Sequence, residues 1–183
     1  IQNGAGLTRQ LLDFARTKAR PMRISDLNFL IHKTARMFGR TKKEVEIDLS
    51  GLKATWSVNV DSGQIEQVLV NLYVNAWQAM PGGGRLSLIT RNVELNRQSV
   101  HPFGMKPGQY VETAVVDTGI GMDDATQQKI FTPFFTTKDR GRGTGLGLSS
   151  AYGIIKNHGG FMRVASKIGR GSRFSIYLPA SEM

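Results

Sequence analysis

Four glycines at alternate positions, Gly141, Gly143, Gly145 and Gly147, stand directly before a helical pattern and constrain this chain more than any other feature. Each glycine in ordered structure costs roughly 0.5–1 kcal/mol against alanine, so a purely structural loop seldom carries four in so short a run. A loop whose backbone N–H groups must approach phosphate oxygens at a helix N-terminus does need them. Upstream, an apolar strand pattern ends on Asp117, and Gly119 and Gly121 follow at alternate positions. A short polar helix-like piece and a Phe/Thr-rich segment ending in Lys138 lie between the two glycine groups. The stretch reads as a nucleotide site, with its adenine end at Asp117 and its phosphate end between Lys138 and Gly147.

The rest of the chain supplies a scaffold of alternating helices and strands. Leu7, Leu11, Phe14 and Lys18 share one helical face, and Pro21 closes that segment. A second helix is expected from a Ser25 cap to Phe38, with Leu27, Leu30, Ile31, Thr34 and Phe38 on one face. Residues 44–50 alternate as a half-buried strand does, and residues 55–60 are its expected neighbour. Asp61 opens the strongest helical pattern, with Gln64 completing an Asp-x-x-Gln capping box and Pro81-Gly82-Gly83-Gly84 ending it. Strands are expected over 85–95 and 109–117, joined by a polar loop, then a helix over 146–158 and a hairpin of 161–166 with 172–178. This order argues an α/β sandwich, a mixed sheet covered by helices.

Size and charge narrow the function. The 183 residues suit one well-cored domain with a small appendage, and the start at Ile1 is that expected of a fragment. No cysteine is present, which excludes a disulfide framework or thiolate metal site and suits a reducing, cytoplasmic compartment. No apolar run reaches the ~20 residues of a transmembrane helix. The net charge of +10 is concentrated in Arg16–Lys43, among few acids. It reads either as a solvated basic face or as a surface for an acidic partner. Nucleic acid is not expected, because the basic stretch lacks interleaved aromatics.

On the helix after Asp61, Gln64, Gln67, Asn71, Asn75 and Gln78 form a polar stripe beside the apolar face. Asparagine is a poor mid-helix residue. The stripe is either a solvated amide face or a place where Asn71 and Asn75 aim carbonyl oxygens at a hard cation. Mg²⁺ suits the second reading, since it takes oxygen ligands from few protein groups and from substrate phosphates.

Together these motifs resemble the ATP-binding catalytic domain of sensor histidine kinases, within the wider group of Hsp90, gyrase B and MutL ATPases. The N-box is Asn71-Leu-Tyr-Val-Asn75-Ala, the first glycine box Asp117-Thr-Gly-Ile-Gly121-Met, and the Phe box Ile130-Phe-Thr-Pro-Phe-Phe-Thr-Thr-Lys138. The second glycine box is Gly143-Thr-Gly-Leu-Gly147-Leu, and the last is Gly169-Arg-Gly171-Ser-Arg-Phe174. Each box alone is weak, and their order is highly specific. The resemblance implies a two-layer α/β sandwich of the Bergerat type, with a mixed, mostly antiparallel sheet. It makes residues 1–20 the end of a dimerisation and phosphoacceptor helical domain, and residues 21–183 the catalytic domain.

The resemblance also implies site roles. Asp117 would accept a hydrogen bond from the adenine amino group, with Gly119 and Gly121 letting the backbone pass close to the base. Ser172 stands where the family commonly has Thr and keeps its hydroxyl. Asn75 would ligate Mg²⁺, supported by Asn71. Lys138 and the amides of Gly143, Thr144, Gly145, Leu146 and Gly147 would hold the β- and γ-phosphates of ATP. Phe131, Phe134 and Phe135 are either a lid or a small core cluster. Gln78 stands where some members carry a basic residue, which shifts the phosphate grip toward Lys138, Arg140 or Arg142.

Hydrolysing members of the group carry a Glu where this chain has Asn71, and an amide is no general base at neutral pH. Phosphoryl transfer is therefore expected over hydrolysis, with a non-catalytic nucleotide-binding module as the third possibility. In the family the acceptor is a histidine on the first dimerisation helix, which would lie upstream of Ile1. His32, His101 and His158 are expected to be structural. The implied partners are ATP or ADP, the chain's own phosphoacceptor domain and a response-regulator receiver domain. A homodimeric parent and a monomeric fragment are expected.

Overall fold

A computed structural model of the chain describes residues 21–137 and 144–181. The helical segment expected over 7–19 lies outside the described residues. The chain begins with strand β1 (Arg23–Ser25), helix α1 (Leu27–Thr41), strands β2 (Val45–Gly51) and β3 (Val58–Val60), and helix α2 (Ser62–Ala79). Strand β4 (Gly84–Leu95), short helix α3 (Arg97–Val100), a 3₁₀ turn (His101–Phe103) and strand β5 (Gly108–Asp117) follow. The order closes with α4 (Asp124–Gln127), α5 (Gly147–Asn157), β6 (Phe161–Ser166) and β7 (Ser172–Pro179).

The main sheet has the order β2-β4-β5-β7-β6, with β2 and β4 parallel and the remaining neighbours antiparallel. Helix α2 lies in the crossover that returns β2 to its parallel neighbour, the long connection that parallel strands require. Register explains which side it covers. Leu86, Leu88, Val111, Val115, Phe174, Ile176, Leu178 and Met162 alternate to one face and join Ile65, Val68, Leu69 and Leu72 of α2 in one core. Each such side chain contributes about 1.5–3 kcal/mol when fully buried. The mixed sheet packed against helices is the sandwich expected from the alternation.

Three local expectations are corrected. The cap of α1 is Asp26, whose carboxylate accepts from the Asn28 amide at 2.8 Å; Ser25 instead ends β1, its hydroxyl donating to the Arg23 carbonyl. Strand β3 does not neighbour β2. It pairs antiparallel with β1, a strand too short to show periodicity, in a separate two-stranded sheet. The loop between β4 and β5 holds α3 and the 3₁₀ turn, and its Val100 and Phe103 cover Phe161 and Tyr177 on the far side of the sheet.

Helix α2 is capped by Asp61, which accepts from the Gly63 and Gln64 amides at 2.9 and 3.2 Å. It has more buried surface than one apolar stripe. Glu66 and Tyr73 are also buried, reaching Lys33 Nζ at 2.6 Å and Thr34 Oγ1 at 3.2 Å on α1. On its other flank α2 runs antiparallel to α5. The Asp61 amide donates to His158 Nε2 at 3.0 Å, and His158 Nδ1 carries the ring proton toward the Ile154 carbonyl at 2.7 Å. His158 is thus a brace, as expected, while His32 and His101 sit on the surface. The basic side chains Lys33, Arg36 and Arg40 are solvent-exposed along α1. Among the described residues no helix is long and apolar enough to cross a membrane.

Candidate nucleotide site

The site is assembled along α2. Asn71 Nδ2 donates to the Gly147 carbonyl at 3.1 Å, so the stripe residue meets the first residue of α5. Asn75, one turn on, donates its Nδ2 to the Asn71 carbonyl at 2.9 Å, which holds the amide nitrogen against its own helix. A Cβ added at Gly147 would lie 3.9 Å from both carboxamides. Glycine there leaves an open cradle between the asparagine pair and the start of α5. Gln78 of the same stripe is exposed.

At the C-terminal turn of α2, the Ala79 carbonyl accepts from the Ile120 amide at 2.9 Å. This contact docks the loop that follows Asp117 onto the helix that carries the asparagines. Ala79 is eight residues beyond Asn71, ~12 Å along the axis at ~1.5 Å per residue. Asp117 is 4 % exposed, and its Oδ1 accepts from the Gly119 amide at 2.8 Å and the Ser172 amide at 3.2 Å. Its Oδ2 has no partner among the described residues. Burial pushes the carboxyl above the ordinary aspartate range, and the two amides only partly offset it.

The glycines of the Asp117 loop face protein. A Cβ at Gly119 would lie 2.5 Å from the Ala79 carbonyl oxygen, and one at Gly121, with φ +70°, 2.0 Å from the Lys167 carbonyl oxygen. The close approach seen at both positions is to the chain's own backbone. Gly145, with φ +65°, sits against Phe134, whose amide donates to the Gly145 carbonyl at 2.9 Å. Thr144 and Leu146 are exposed beside it, while Lys138, Arg140, Arg142 and Gly143 lie outside the described residues.

The Phe box divides between its two readings. Phe131 packs on Tyr152 with ring centroids 5.0 Å apart and, with Phe135, lies against the core. Phe134 is 73 % exposed and is the one non-glycine residue with positive φ among those described. Sequence reasoning overlooked Ser166 and Gln127. The Gln127 carboxamide pairs with the Ser166 backbone, accepting from its amide at 3.1 Å and donating to its carbonyl at 3.2 Å. No local pattern reveals this pairing, because the partners are brought together only by the closing hairpin. A cavity of about 240 Å³, lined by Met22, Asn59, His158 and Pro179 among others, is remote from these residues.

The arrangement fits a purine nucleotide. A buried carboxylate whose Oδ2 has no partner among the described residues lies by the C-terminal turn of α2, and two carboxamides one and two turns back along that helix face a glycine-opened helix start. Among the described residues no group of three or more His, Asp or Glu side chains gathers to hold a metal. A divalent cation here would therefore rely on amide oxygen and phosphate, as Mg²⁺ accepts.

Comparison with known proteins agrees with this geometry. A model of the histidine kinase-, DNA gyrase B- and HSP90-like ATPase family matches residues 60–182. The chain is 43% identical over 177 residues to the sensor kinase CckA of Brucella abortus, covering 96% of this chain and 19% of that protein. It is 31% identical over 174 residues to the sensor histidine kinase ZraS of Escherichia coli K12, covering 94% and 34%. It thus spans a fifth to a third of the length of these relatives. Among solved structures, the nucleotide-free catalytic domain of the histidine kinase ThkA superposes with TM-score 0.71 at 27% identity, covering 88% of this chain and 97% of that one. By its sequence match and by its fold, the chain belongs to the histidine kinase-, DNA gyrase B- and HSP90-like ATPase family.

Proposed function

We propose that this chain is the ATP-binding catalytic domain of a two-component sensor histidine kinase. It would transfer the ATP γ-phosphoryl group to a histidine on a helical domain preceding it, with a homodimeric parent and a cytoplasmic setting. One observation carries the reading: the loop that follows Asp117 docks on Ala79 of the helix that bears Asn75 and Asn71, one and two turns back, the latter ~12 Å away along the axis. The identity with sensor kinases along nearly the whole chain supports it.

In this reading Asp117 Oδ2 accepts from the adenine 6-amino group. Guanine would present a carbonyl oxygen to the same carboxylate, and an unpaired buried polar group costs about 1–3 kcal/mol. Asn75 would hold Mg²⁺ through its carboxamide oxygen, and the metal would supply neutralisation of phosphate charge. Asn71 holds the start of α5, and the amides of residues 143–147 would hold the phosphates, with Lys138 contributing its positive charge. Such positioning and electrostatics are what phosphoryl transfer asks of a protein. Asn71 cannot take a proton from water, which disfavours hydrolysis. His158 has both ring nitrogens engaged, so the acceptor is a histidine other than this one.

The test is to combine the chain with a helical domain bearing the acceptor histidine and γ-labelled ATP. Label stable to base and labile to acid on that domain is the expected result. Tight Mg·ADP binding without any transfer would leave a binding module instead. Partnership with a receiver domain is part of the same proposal; ThkA has been solved in complex with its response regulator TrrA, at a likeness that speaks for the fold.

A further inference from the structure

Charge is spread very unevenly along this chain. Between residues 9 and 43 stand ten Lys and Arg against two Asp, while the remaining fourteen basic residues meet twelve acidic ones. Most of the net charge of +10 therefore sits at one end, and the site around Asn71, Asn75 and Asp117 uses none of it. Helix α1 shows how that charge is presented. Leu27, Leu30, Ile31, Thr34, Ala35 and Phe38 are buried, whereas Phe29, His32, Lys33, Arg36, Met37 and Arg40 are exposed along its outer face. The helix contains no Asp or Glu. Lys33 reaches Glu66 at 2.6 Å with its side chain still 57 % exposed, and Arg36 and Arg40 make no ion pair among the described residues.

A basic face kept only for solvation has no use for apolar side chains, yet this one carries them. Of the eight large apolar side chains exposed among the described residues, four belong to this stretch: Met22, Ile24, Phe29 and Met37. Phe29 lies one turn from Lys33, and Met37 lies beside Arg36. Cations interleaved with exposed apolar groups suit a lipid headgroup layer, which attracts the charge and admits the apolar side chains. Other occupants fit less well. The upstream segment of the chain carries Arg9, Arg16, Lys18 and Arg20 against Asp13, and a second copy would bring an equally basic α1, so both would be repelled. A partner protein would need a pocket for each apolar side chain on this convex face, while a bilayer yields around them. We infer that the outer face of α1 docks the chain on an anionic phospholipid surface, with Lys33, Arg36 and Arg40 over the headgroups and Phe29 and Met37 entering between them. Helix α1 packs on one flank of α2 and α5 on the other, so docking leaves the α2–α5 cleft open to nucleotide.

The experiment is co-sedimentation of the 183-residue chain with vesicles of phosphatidylcholine, alone or with about 30 % phosphatidylserine, at about 0.1 M salt. Binding should require phosphatidylserine and be lost at about 0.5 M salt, where charges are screened. Arg36→Gln with Arg40→Gln should weaken it about thirtyfold. The same neutralisation at Arg97 and Lys106, in the loop between β4 and β5, should weaken it less than about threefold. Phe29→Ser should weaken it about tenfold, which net charge alone does not predict. Glutamine is a good helix former, so the fold should stand; if the double variant does not fold, Arg36→Gln alone carries the test at about fivefold. ADP affinity in solution should be the same in every variant, which keeps this test apart from the nucleotide reading. Absence of binding to the phosphatidylserine vesicles, equal weakening by the two neutralised pairs, or indifference to Phe29→Ser overturns the inference. Binding to poly-L-glutamate that the α1 pair weakens, without binding to vesicles, also overturns it and gives the face to an acidic protein.

Discussion

Asn71 Nδ2 donates to the Gly147 carbonyl at 3.1 Å, tying the middle of α2 to the first residue of α5. Asn71→Ala should lower stability by about 0.5–1.5 kcal/mol, the worth of a typical hydrogen bond. It should also weaken Mg·ADP about tenfold, because the amides proposed to hold the phosphates lose their support. Denaturant midpoints and calorimetric titration read the two effects separately. A stability loss with unchanged affinity would make Asn71 a brace and nothing more.

Gly147→Ala separates folding from binding in the other direction. The new methyl group meets Asn71 and Asn75 at ordinary contact distance, and alanine favours the helix by about 0.5–1 kcal/mol. The ligand-free protein should therefore melt at the same or a higher temperature. ADP affinity should fall, since the cradle between helix start and asparagines is filled. Unimpaired ADP binding by this variant would move the phosphates elsewhere.

Asp117→Asn tests the base anchor and carries a pH signature. Burial raises the carboxyl, so the folded state holds that proton more tightly than the unfolded chain does. Ionising Asp117 thus opposes folding, and the opposition appears as pH rises above about 4. The variant should be as stable as the parent near pH 3 and more stable at pH 7. Its ADP affinity should drop about ten- to a hundredfold, matching ~1–3 kcal/mol for an unmade buried hydrogen bond. Chemical denaturation at the two pH values, with ADP titration at pH 7, reads both.

Glu112 lies on the opposite sheet face and should behave independently. Burial pushes its carboxyl up, but hydrogen bonds from Arg91 and Arg173 outweigh it and hold it below the ordinary range. A lowered carboxyl stabilises the fold above about pH 4.3, and that contribution is lost as acid drives the pH down through its folded value. Glu112→Gln should cost about 1–3 kcal/mol at neutral pH and little in strong acid. ADP binding should be untouched. Urea titrations across the acid range provide the measurement.

The sequence disclosed the long elements because their periodicities are unbroken. The α2 cap at Asp61, the α1 core face from Leu27 to Phe38 and the closing hairpin stand where expected. Short elements were harder. Strand β1 spans three residues, too few to show alternation, and its pairing with β3 displaced the expected neighbour of β2. Ser25 and Asp26 are both competent caps, and only the strand before them decides which one serves. At the site, residue types pointed to Asp117, Asn71 and Asn75. The reasons for its glycines were hidden: a Cβ at Gly171, with φ +75°, would lie 2.0 Å from the Asp117 carbonyl oxygen. That constraint arises from strands far apart in the chain.

The two antiparallel helices are stitched twice, through His158 to the Asp61 amide and through Asn71 to the Gly147 carbonyl. The second helix is thus held to α2 at both of its ends, so its placement is set by the chain's own contacts. Nucleotide arriving against it has little helix ordering to impose, and the association entropy it must overcome is mostly its own. Replacing the imidazole would remove one of the two fasteners, and slower capture of nucleotide, with the contacts to it all intact, is the mark such a hinge would leave.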